Sequence, residues 1–202
     1  RRIIAHCPNS GSMMGLLDSG NKVWISESNN LKRKLKYTLE IIEIKKKMVG
    51  VNTFNTNKIV FEALKDKKIK ELSNYNVIQK EVKFGMNTRF DFMLSNEVNK
   101  CFLEIKNVTL SRFESFAEFP DAITSRGKKH LDELMNAKQN GYQSYIFLLV
   151  QRDDCNKFKI SKDIDLLYYK TLNQAKKIGV KILCYDCKIN NKEIKLNKRI
   201  YL

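Results

Sequence analysis

Residues 88–108 read T-R-F-D-F-M-L-S (88–95), N-E-V-N-K (96–100) and C-F-L-E-I-K-N-V (101–108). The two outer runs alternate apolar and polar residues and are rich in Phe, Leu and Ile, which predicts strands. The polar pentapeptide between them predicts a hairpin connection. Asp91 lies between two phenylalanines, and Glu104 between Leu103 and Ile105. Glu104 and Lys106 are two apart and so share a strand face. Charges inside buried strands are costly unless paired or bound to a metal. Two carboxylates and a lysine on neighbouring strands therefore suit a divalent cation, because Mg²⁺ takes oxygen ligands from one or two carboxylates and substrate phosphates. The plainer alternative is a Glu104–Lys106 salt bridge on the strand face, with Asp91 at a sheet edge.

Around this hairpin, residues 1–53 read as short strands with turns, which predicts a small β-barrel or sandwich. Arg1–Ala5, Lys22–Ser26 and Leu35–Lys45 are the strand candidates. Helical spacing begins at Asn57, with Thr56 or Asn57 as N-cap, and a second short helical piece is expected at Ile69–Leu72. A strand over Val77–Phe84 and a turn at Gly85-Met86-Asn87 lead into the hairpin. Residues 109–121 read as an aromatic loop. A helix over Ser125–Asn140, a buried central strand over Tyr145–Gln151, a helix over Asp163–Ile178, a strand over Val180–Cys187 and a tail hairpin turning at Asn190-Asn191 follow. An antiparallel opening followed by strand–helix–strand crossovers predicts a mixed α/β sheet.

The chain has 202 residues, 38 basic and 22 acidic, for a net charge of +16. That balance points to a polyanionic partner, nucleic acid foremost. Positive charge is densest over residues 1–60. There, Lys32, Arg33 and Lys34 interleave with Trp24 and suit a phosphate backbone with aromatic stacking. Arg126 and His130 are four apart, on one helix face, and make phosphate contact credible. Gln151 and Arg152 end the central strand, where α/β sites tend to form. No apolar run is long enough for a membrane span. Five scattered cysteines suggest a reducing cytoplasm. Cys184-x-x-Cys187 lacks a second ligand pair and reads as two structural thiols.

The D…E-x-K pattern resembles the PD-(D/E)XK nuclease superfamily. Several blocks in order extend the likeness: A-H-C-P-N-S-G-S-M (5–13), R-K-L-K-Y-T-L-E (33–40), G-V-N-T (50–53), T-R-F-D-F-M-L (88–94), L-E-I-K-N-V-T-L (103–110), F-P-D-A-I-T-S-R-G-K-K-H-L-D-E-L (119–134) and V-Q-R-D (150–153). With these the sequence resembles the sugar fermentation stimulation protein A (SfsA) family. Ser10, Lys36 and Phe90 depart from the family's Thr, Pro and Ile. The resemblance implies an N-terminal OB-like barrel (1–53), incomplete without a preceding strand region, and a PD-(D/E)XK nuclease-like mixed-sheet domain (54–202). It implies non-specific DNA binding and a role in regulating sugar, notably maltose, metabolism. Carried over by position, Asp91, Glu104 and Lys106 match the nuclease-like core, Glu62 the acidic residue of the preceding helix, and Gln151 the end of a later strand. Asp91 and Glu104 would hold Mg²⁺ or Mn²⁺. Homo-oligomerisation is left open.

Overall fold

The computed structural model describes residues 2–85 and 88–202. Four strands come first: β1 (Ala5–His6), β2 (Val23–Glu27), β3 (Tyr37–Ile44) and β4 (Lys47–Gly50). β3 is the axis of this sheet. β2 pairs antiparallel along one edge, and β1 and β4 follow one another along the other. Met13, Leu16, Ile42, Val49 and Val51 form its own small core.

The chain then enters α1 (Phe54–Lys65), a 3-10 turn (Lys70–Leu72), and the antiparallel strands β5 (Val77–Phe84), β6 (Thr88–Ser95) and β7 (Lys100–Val108). After β8 (Leu110–Phe113) and β9 (Phe116–Phe119) come α2 (Ser125–Gln139), β10 (Gln143–Val150), β11 (Lys157–Ile160), α3 (Leu166–Ile178), β12 (Lys181–Ile189) and β13 (Ile194–Arg199). Six of these strands make one mixed sheet in the order β13-β12-β10-β7-β6-β5. β10 runs parallel to both β7 and β12, as expected of a strand buried on both faces.

Helices cover both faces of that sheet. Ile59, Val60, Ala63 and Leu64 of α1 pack on Phe92, Leu103, Ile105, Phe147 and Leu149. Leu131 and Leu134 of α2 and Tyr168 and Leu172 of α3 pack on Phe90, Phe102 and Ile146. Apart from Ala63, each such side chain contributes about 1.5–3 kcal/mol by leaving water. Thr124 caps α2 by accepting from Gly127 N, Asp165 caps α3 by accepting from Tyr168 N, and Gly179 ends α3 with φ 102°, where glycine escapes the Cβ penalty.

Several expectations change. Residues 109–121 are not a loop: β8 and β9 form a hairpin joined by β11, a partner about 40 residues downstream that local patterning does not reveal. Phe119 packs against Tyr168, whereas Phe113 stands exposed beneath the Lys159 amine rather than acting as a cover. α1 begins at Phe54, earlier than the apolar spacing suggests, because Asn52 Oδ1 takes the Phe54 N–H. It stops at Lys65, since Lys67 adopts φ 54°. The tail hairpin does turn at Asn190-Asn191, and its first arm is the end of β12 itself, pairing Ile189 with Ile194. Of the Arg1–Ala5 strand only Ala5 is in β1, and Arg1 lies outside the described residues. Met86 and Asn87 of the expected turn also lie outside them. All five cysteines are free, and Cys184 and Cys187 are buried in different clusters, so they do not form a joint ligand pair.

Candidate metal and phosphate site

The β6–β7 register pairs Phe92 with Leu103 and Met93 with Phe102. Continued by one step, it sets Asp91 opposite Glu104. At that step the backbone ladder gives way to a side chain: Asp91 Oδ2 accepts from Ile105 N at 2.7 Å. The neighbouring strand explains the break. Glu81 on β5 has φ 53°. Before it, Ile78 packs on the α1 side with Phe92; beyond it, Val82 and Phe84 pack on the α2–α3 side with Phe90. The two strands exchange faces around residue 91. Asp91 therefore sits in the seam, able to reach both layers. Its Oδ1 accepts from Asn57 Nδ2 of α1 at 2.8 Å.

Glu104 is buried on the α2 side, 3% exposed. Its Oε1 accepts from Lys106 Nζ at 2.7 Å and meets His130 Nδ1 of α2. Lys106 Nζ and His130 Nδ1 are 2.9 Å apart, so that ring nitrogen serves the lysine or the carboxylate according to its tautomer. Glu104 Oε2 is buried with no hydrogen-bond partner among the described residues.

The two carboxylates are pushed apart in acidity. Burial, and then the charge of Glu104, raise Asp91 to about 6 against the bonds from Ile105 and Asn57. For Glu104 burial acts upward too, but the His130 bond and the Lys106 and His130 charges prevail and hold it below the ordinary carboxylate range. Asp91 and Glu104 are thus two carboxylates close enough to act on each other's charge, and one of their oxygens, Glu104 Oε2, has no hydrogen-bond donor among the described residues. Oxygen donors of this kind suit Mg²⁺ or Mn²⁺. No group of three or more His, Cys, Asp or Glu side chains among the described residues forms a metal cage. An ion here would need water or phosphate oxygens to complete its shell, as Mg²⁺ usually does.

Asp91, Glu104, Lys106 and His130 are thus brought together, and His130 faces the carboxylate rather than open solvent. Asn57, read in the sequence only as a possible cap, is the residue that α1 supplies. Glu62 is not: five residues on, about 140° round the helix, it is exposed and lines a cavity of about 550 Å³ with Trp24, Lys58 and Lys195. Gln151 is wholly buried on the α1 side, its Nε2 donating to Asn107 Oδ1 (2.6 Å) and Thr56 Oγ1 (3.1 Å), and so stands outside the carboxylate group. Arg152 corrects a second expectation. It is 5% exposed and spent on Asp154 and the Thr109 carbonyl, so it presents no surface to DNA. Lys32, Lys34 and Arg126 are exposed. Arg33 donates to Thr38 and lines a cavity of about 440 Å³ with His6, Phe54 and Lys58. Trp24 is half-buried against the core, with Lys22 over its ring.

No helix among the described residues is long and apolar enough to cross a membrane. Family profiles described as the SfsA N-terminal OB domain and the sugar fermentation stimulation protein RE domain match residues 1–51 and 55–193. A sugar fermentation stimulation protein homolog of Pelagibacter ubique is 54% identical over 98% of this chain and 85% of its own length. One from Pseudoalteromonas atlantica is 44% identical over 98% and 86%. The structure of Pyrococcus furiosus SfsA in complex with Ca²⁺ shares the fold, with a TM-score of 0.91 at 23% identity over 99% of this chain and 85% of that one. The mixed-sheet domain, the N-terminal OB unit and these relatives agree: the chain belongs to the sugar fermentation stimulation protein (SfsA) family.

Proposed function

We propose that this protein holds DNA by its phosphate backbone and hydrolyses a phosphodiester bond at the Asp91–Glu104–Lys106 group, with Mg²⁺ or Mn²⁺ as the ion. The observation that carries this reading is the buried Glu104 Oε2, unpartnered among the described residues, beside an Asp91 whose proton is held to about 6. A salt bridge alone would account for Lys106 and Glu104 Oε1 but would leave that second oxygen and Asp91 unexplained. The description of the Pyrococcus protein as a Ca²⁺ complex lends the reading a hard, oxygen-seeking cation.

An ion held by Asp91 and Glu104 would acidify a water and offset charge on the phosphate. The chain's own groups do the rest. Asn57 and the Ile105 amide fix both oxygens of Asp91. His130 and Lys106 orient Glu104 through one oxygen and leave the other free. Lys106 Nζ lies beside Glu104, where a further N–H can donate to a water or to the developing phosphate charge. Incubating the protein with duplex, single-stranded and branched DNA and either ion tests this. Cleavage that requires the ion and vanishes in Asp91→Ala is expected; cleavage of none, or cleavage that survives that change, overturns it.

The net charge of +16 favours a second reading, a non-specific DNA-binding protein acting in sugar regulation without hydrolysis. Both readings require binding that weakens steeply with salt as counterions are released. Ion-dependent cleavage separates them.

A further inference from the structure

Where β4 of the N-terminal sheet meets the large domain, the contact at Gly50 has no slack. Gly50 N donates to the Gln151 carbonyl at 2.9 Å, and Val49 bridges Arg152. A Cβ on Gly50 would lie 2.6 Å from Gln151 Oε1, 2.8 Å from Ile194 Cδ1 and 3.3 Å from Gln151 Cβ. Such distances force something to move, and Gln151 is wholly buried with little room to do so. Gln151 in turn clamps two elements. Its Nε2 holds Thr56, next to Asn57, which holds Asp91; and it holds Asn107, next to Lys106.

From this chain of contacts we infer that Gln151 is a positioning residue, through which the seating of β4 sets the spacing of Asp91 and Lys106. On this account the N-terminal sheet is a working part of the ion centre and not only a separate grip on DNA. The inference rests on the ion-binding reading above. Residues that orient ligands through a hydrogen bond commonly change metal affinity about 10–100-fold when altered.

The test measures Mn²⁺ affinity by calorimetry or electron paramagnetic resonance, alongside metal-free duplex affinity in chelator. The variants are Gly50→Ala, Gln151→Leu and the double change. Asp153→Ala serves as a control that removes another contact between the units, Asp153 Oδ1 with Met48 N at 3.1 Å, without touching Gln151. Each single change should weaken Mn²⁺ binding about 10-fold and leave metal-free DNA affinity unaltered. The double should be no worse than the poorer single, because both act through one residue. Asp153→Ala should bind Mn²⁺ as the parent does. Full Mn²⁺ affinity in Gln151→Leu, additive losses in the double, or an equal loss in Asp153→Ala would overturn the coupling. An unaltered protein that binds no Mn²⁺ would instead overturn the ion-binding reading itself. Should Gly50→Ala fail to fold, Gln151→Leu against Asp153→Ala still decides.

Discussion

Replacing Asp91 with Asn should make the ion-free protein more stable at neutral pH. The folded carboxyl is raised from its ordinary 3.8 to about 6 by burial and the Glu104 charge. Below pH 3.8 both folded and unfolded forms keep the proton, and ionisation costs nothing. Between 3.8 and about 6 the unfolded chain releases it first, so folding loses stability as pH rises, and above about 6 the loss is complete. At 1.36 kcal/mol per pKa unit, the rise is worth about 3 kcal/mol, or about 2–3 after allowing for partial solvent screening. Asn removes the charge at nearly constant shape. Its Oδ1 can accept from Ile105 N while its amide donates to Asn57, once the Asn57 carboxamide turns over. For a domain of this size the gain corresponds to a Tm higher by about 4–10 °C. Thermal and urea melts in chelator at about pH 8 and about pH 4 read it directly. The gain should be present at the higher pH, nearly absent at the lower, and reversed in rank by saturating Mn²⁺, which stabilises only the protein that binds it. An Asn variant no more stable than the parent at high pH, or a gain independent of pH, would show that the Asp91 charge does not destabilise the fold.

Arg152→Ala should cost about 3 kcal/mol in urea unfolding, because it strands the half-buried Asp154 carboxylate and the buried Thr109 carbonyl. It should leave the salt slope of DNA binding unchanged, whereas an Arg152 that touched phosphate would lower it. Replacing exposed Lys32 and Lys34 together with Arg33 by Ala should shallow that slope by about 2–3, near 0.9 per lost phosphate contact; an unchanged slope removes this surface from the interface. Phe147→Ala, beneath Tyr185 in the α1-side core, should cost about 3–5 kcal/mol in thermal or urea unfolding while leaving Mn²⁺ affinity intact.

Much of the large domain was legible along the chain. Alternation in 88–95 and 101–108 exposes the β6–β7 pair, and the offset within Glu104-Ile105-Lys106 puts both charges on one face. The unbroken apolar run at 145–150 identifies the central strand because a helix lies over each of its faces. What stayed hidden depends on distant partners. The exchange of faces at Asp91 follows from the φ of Glu81 on the next strand. His130 reads as a surface phosphate contact until α2 is laid on β7, where it meets Glu104. Arg152 has the sequence position of a site residue, yet the Thr109 carbonyl and Asp154 consume its donors. The family resemblance points to Glu62 as the acidic residue of α1, whereas helix phase gives that place to Asn57, a residue type without charge to draw notice. β8, β9 and β11 are four-residue strands whose pairing is non-local, and no periodicity survives at that length.

Under the proposed function, Asp91 and Glu104 share one divalent ion. Anomalous diffraction from a crystal of the unaltered protein equilibrated with Mn²⁺ tests it most directly. A single strong peak should lie about 2–2.5 Å from an Asp91 oxygen and from Glu104 Oε2. Strong peaks elsewhere with none between these two carboxylates, at saturating Mn²⁺, would contradict it.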